Sequence, residues 1–179
     1  NQRAALAQKG KGIHPHVLVM SATPIPRTLA LLLYGDLEVS IIDERPPGRQ
    51  NVDTFLVGEA LRQRMYGFVR KQVQEGHQVY MVCPAVEEGQ EDGQDLKAVT
   101  TYAQTLHTQV FPDLRVGLLH GKMKGKDKEA VMAAFAAGEI DILCATTVIE
   151  VGVDVPRATL MVIENAERFG LSQLHQLRG

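Results

Sequence analysis

Apolar runs of four to six residues alternate along this chain with longer stretches in which apolar positions recur every three or four residues. The first pattern suits strands buried on both faces of a parallel sheet. The second suits helices that pack one face onto it. Thr54–Val57, Gln78–Cys83, Arg115–Leu119, Ile140–Cys144 and Thr159–Ile163 are predicted strands. Between them, Glu59–Gln74 carries Leu61, Met65, Phe68, Val69 and Val73 on one helical face, and Leu96–Val110 does the same with Leu96, Val99, Ala103, Leu106 and Val110. Asp127–Ala137 is a third predicted helix, stopped by Gly138 as Gly76 stops the first. Leu171–Leu177 is a last amphipathic run. Strands alternating with helices in this way predict an α/β fold, a doubly wound parallel sheet with right-handed crossovers.

The pattern upstream is different. Val17–Met20 and Val39–Ile42 are two further short strands, too few to close a core, so residues 1–45 read as the tail of a preceding domain. Two prolines and a glycine in the charged run Asp43–Arg49 break all periodicity. They place an inter-domain linker over 46–51 and a second domain over 52–179. Five acids between Pro84 and Asp95 stand in a Gly- and Gln-rich loop that reads as solvated.

Composition narrows the class. The 179 residues are 45% hydrophobic and 22% charged, which excludes a mostly disordered chain. No apolar run approaches the roughly 20 residues that span a bilayer. The amino end, NQRAALAQKGKG, has no signal-peptide core. The expected location is cytoplasmic, without a membrane partner. Cys83 and Cys144 lie inside apolar strand runs with no CxxC spacing and read as buried free thiols. A net charge of −2 gives no overall attraction for a polyanion, so nucleic acid has to be held by local patches. No metal site is expected, because His14 and His16 are the only closely spaced pair among six histidines and fall in a predicted loop. No serine has a nucleophile-elbow context.

Ligands of doubly wound sheets bind beyond the carboxyl ends of the strands, and four loops there carry candidates. Ser21–Arg27 joins hydroxyl residues to prolines that suit a helix's first turn. His120–Lys128 places glycine, glycine and lysine between a strand and a helix. It is not a P-loop, since only three residues separate Gly121 from Gly125 and Asp127 stands where a hydroxyl should hold magnesium. Lys122, Lys124, Lys126 and Lys128 at a helix amino end suit a nucleic-acid phosphate, although a solvated lysine turn fits the local sequence equally. Ala145–Asp154 sets Thr146 and Thr147 just past a strand, with Gly152 for close backbone approach and Asp154 to order a hydroxyl or a water. A capped βα turn is its plainer reading. From Glu164 onward, Asn165, Glu167, Arg168, Gln173, His175, Gln176 and Arg178 crowd a sheet edge with polar groups fit to read phosphate or ribose.

Taken in order, SATPIPRTLA (21–30), LLHGKM (118–123), ATTVIEVGVDVP (145–156) and ENAERFGLSQLHQLRG (164–179) resemble the late motifs of helicase superfamily two. The linker and the final run resemble its RecG branch, ATP-dependent helicases that remodel branched DNA in repair and recombination, more than the transcription-repair coupling translocases. The resemblance implies a RecA-like, P-loop NTPase-type second helicase lobe over 52–179, preceded by the end of a first lobe. It implies that Ser21 and Thr23 couple ATP hydrolysis to movement. Thr146 and Thr147, with His120, Gly121, Lys122 and Lys124, would contact the DNA backbone. Gly152 and Asp154 would face the nucleotide, and Gln176 would open the last motif, so Asp154 and Gln176 are the expected contributors to ATP binding and catalysis. ATP and magnesium are implied for the full-length protein, with the magnesium ligands outside this sequence. A RecA-like module that binds nucleic acid or protein without ATP is the alternative of a different class.

The arginines that complete the last motif, QxxGRxGR, would follow Gly179, and no Walker A loop or DExH box stands in the sequence. An arginine finger contributes about 10³ or more in rate. The 179-residue chain alone is therefore expected to release no phosphate from ATP, with or without DNA. Hydrolysis above a heat-killed control would overturn that expectation.

Overall fold

The computed structural model describes residue 40 and residues 51–84, 93–146 and 155–178. The strand expected at 17–20, most of that at 39–42, the charged run 43–49 and the centre of the acidic loop lie outside the described residues. So do Ser21, Thr23, Thr147, Gly152 and Asp154. The chain divides into two compact units, one of Asp53–Gly170 and one of the segments 1–52 and 171–179.

In the larger unit a 3-10 turn, Glu59–Leu61, leads into helix α1, Arg62–Gln74. Strand β1 follows at Gln78–Cys83. Helix α2, Gly93–Thr105, then widens into a π-helical turn at Leu106–Val110. Strand β2 is Val116–Leu119, helix α3 Gly125–Ala137, β3 Ile142–Thr146 and β4 Ala158–Ile163. The second unit contributes helix α4, Leu171–Arg178. All described strand pairs are parallel, in the order β2-β3-β1-β4, with Met81 of β1 opposite Cys144 and Val162 and with Leu119 opposite Ala145.

Strand alternation sorts the apolar residues into two cores. Ile142 and Cys144 of β3 join Val79 and Met81 of β1 against Val69, Ala103, Leu106 and Phe111 on one face. Leu143 and Ala145 point the other way and join Leu119, Met132, Phe135 and Val155. Helices α1 and α2 therefore cover one face and α3 the other, as a doubly wound sheet requires. Tyr66 meets Phe111 edge-on at 5.6 Å, and Tyr80 meets Phe135 at 4.9 Å, which pins one helix or turn to each side.

Polar contacts, one buried and one exposed, tie the amino edge of the sheet. The Gln78 side-chain amide donates to the carbonyls of Phe135 (2.6 Å) and Ile140 (2.7 Å), joining the start of β1 to the end of α3. Arg115 donates to both carboxylate oxygens of Asp141 from Nε (3.0 Å) and Nη2 (2.5 Å), a bidentate pair that joins β2 to β3. Gly138 closes α3 at φ 80°, and a Cβ placed on it would meet the Arg157 guanidinium at 2.1 Å.

One predicted strand is absent. Thr54–Val57 has no strand pairing, and Phe55 and Leu56 are 80% and 96% exposed. A strand needs a neighbour to bond its backbone, and none of the four described strands supplies one to this segment. The sheet therefore has four described strands where the pattern predicts five. The other shifts are small. β3 starts and ends two residues later than expected, and α3 starts two residues earlier, at Gly125.

Phe135 is fully buried. Phe135→Ala is expected to cost about 3–5 kcal/mol of unfolding free energy. Gly138→Ala, which forces a side chain into a left-handed backbone and into Arg157, is expected to cost about 1 kcal/mol or more. Urea unfolding of the 179-residue chain followed by circular dichroism measures both.

Candidate functional site at the carboxyl edge of the sheet

Because the strands are parallel, Cys83, Leu119, Thr146 and Ile163 all end on one edge. Cys83 stands opposite Thr146. Leu119 stands opposite Ala145, so His120 and Thr146 come next after that pair on neighbouring chain segments. Thr146 closes β3 rather than following it, and it is only 6% exposed. Its backbone is held in the ladder, which leaves little of its hydroxyl for a ligand in solvent.

The chain turns at His120, whose carbonyl accepts the Met123 amide at 3.2 Å. Lys124 is extended, and its carbonyl accepts the amides of Asp127 and Lys128 at 3.0 Å as α3 begins. Gly121, Lys122 and Lys124 are thereby presented in one exposed turn at a helix amino end. Asp127 in the first turn of α3 offsets part of that positive field. His120 Nδ1 is buried and has no hydrogen-bond partner among the described residues. Burial first, and then the charges of Lys128 and Lys122, hold the imidazole below its usual value of 6.5. It is neutral at pH 7 and keeps a desolvated nitrogen beside the lysines.

The other side of the edge is acidic and fully paired. Sequence reasoning grouped Glu164 with polar residues that crowd a sheet edge without serving any evident core. The structure corrects this, because Glu164 is 9% exposed and anchors three elements. Arg62 Nη1, from the start of α1, donates to its two oxygens at 2.9 and 3.1 Å. The Tyr102 hydroxyl, from α2, donates to Oε1 at 2.6 Å. Arg62 Nη1 also reaches the Tyr66 hydroxyl at 3.3 Å, and Nε donates to exposed Glu59 at 2.9 Å. The Arg62 value rises through its bonds to Tyr66, then Glu59, and the charge of Glu164. Burial first, then Glu164, raises the Tyr102 hydroxyl. Cys83 beside them is pushed up to about 12, mainly by burial and then by Glu164. It is a protonated, unreactive thiol at neutral pH. Arg62 and Tyr102 left no mark in the sequence pattern. The only signal was an acid placed directly after a buried strand.

Gln176 lies exposed on α4, in the second compact unit. Among the described residues, no group of three or more His, Cys, Asp or Glu is placed to hold a metal ion, and no helix is long and apolar enough to cross a membrane.

The helicase conserved C-terminal domain matches residues 59–179 of the sequence. The chain belongs to the helicase C-terminal domain family. It is 56% identical over 99% of its length to the ATP-dependent DNA helicase RecG of Synechocystis, 57% identical over 99% to that of Aquifex aeolicus, and 51% identical over its whole length to that of Escherichia coli K12. It spans 21 to 26% of the length of these relatives. The four-stranded parallel sheet with helices on both faces is the RecA-like lobe expected of such a domain. The helicase C-terminal domain so defined includes the His120 turn, β3 and the Glu164 cluster, together with α4.

A histidine whose value is depressed in the fold resists protonation, so its contribution is intact above pH 6.5 and is lost as the pH falls below it. His120→Asn is expected to flatten that part of the stability profile. Urea midpoints of parent and variant at pH 7.5 and 5.5 measure the difference, and equal pH dependence in the two proteins overturns the assignment.

Proposed function

We propose that this chain is the second motor lobe of an ATP-dependent DNA helicase that remodels branched DNA, acting in the cytoplasm in repair and recombination. The observation that carries this reading is identity of 51 to 57% to helicases named RecG across the whole chain. The chemistry of the carboxyl edge supports it.

On this reading Lys122 and Lys124 take DNA phosphates, helped by backbone amides of the turn at Gly121. Thr147 contacts the same DNA backbone on this reading, and Thr146, buried at the end of β3, does so only if its hydroxyl becomes accessible. Gly152, Asp154 and Gln176 face the nucleotide, and Ser21 with Thr23 couples its hydrolysis to movement. ATP drives the cycle by binding the closed and open arrangements of two lobes with different affinity. Magnesium is held by residues elsewhere in the full-length protein. Phosphate contacts of this kind confer affinity and salt dependence with little base readout.

In the full-length protein, Lys122→Ala with Lys124→Ala is expected to lower the slope of log affinity for forked DNA against log salt by about 1 to 2. An unchanged slope removes the turn from the DNA interface. Asp154→Ala is expected to keep the melting temperature and to reduce DNA-stimulated ATP hydrolysis on the order of tenfold or more. Loss of the folded state would make Asp154 structural instead.

A further inference from the structure

We draw no further inference here: the strongest candidate, the exposed apolar surface run of Phe55, Leu56 and Val57 ahead of helix α1, carries none because nothing in the structure shows what covers it.

Discussion

β3 is paired on both edges and covered on both faces, and all five of its residues are buried. That double constraint sets the geometry of everything else. With β2 and β1 on its flanks, the crossover helices have to reach opposite faces to bury what alternation presents, Ile142 and Cys144 to one side and Leu143 and Ala145 to the other. A register slip of one residue would exchange the two cores, which differ in shape, so the hydrophobic effect and the ladder specify the same alignment. The common direction of the strands then gathers four strand ends on one edge.

That edge is electrically divided. On the β2 side a turn exposes lysines around a neutral, half-desolvated histidine at a helix amino end. On the β4 side a carboxylate is buried and its charge consumed by Arg62 and Tyr102. An unpaired acid at that depth would cost several kcal/mol in desolvation and would repel a phosphate chain. Pairing removes both difficulties and leaves the β2 side as the attractive surface. Burial, and then the charge of Glu164, keeps the Cys83 thiol protonated and poorly nucleophilic at neutral pH.

Much of this architecture is legible residue by residue. Gln78–Cys83 is a continuous apolar run, and the structure has that strand with those bounds. Gly138 as a helix stop follows from the need for a left-handed residue, and it is found at φ 80°. The turn His120–Lys124 is recognisable because glycine and lysine between strand and helix have few other uses. Local pattern failed where the deciding partner is distant. Thr54–Val57 has strand-like residues, yet a strand exists only through a neighbour, and its own residues do not reveal whether one is present.

The sequence by itself determined the alternation of elements, the parallel sheet, the free cysteines, of which Cys144 is buried and Cys83 half-buried, and the family, because these rest on periodicity and on contiguous motifs. Tertiary structure alone decided that Thr146 is inside β3, that His120 keeps a buried nitrogen, and that Glu164 is an anchor rather than a surface acid. Burial and hydrogen bonding depend on what the fold brings alongside a residue. Arg62, Tyr102 and Glu164 are separated by up to 102 positions and meet only because β1 and β4 are neighbours and α1 and α2 cover the same face.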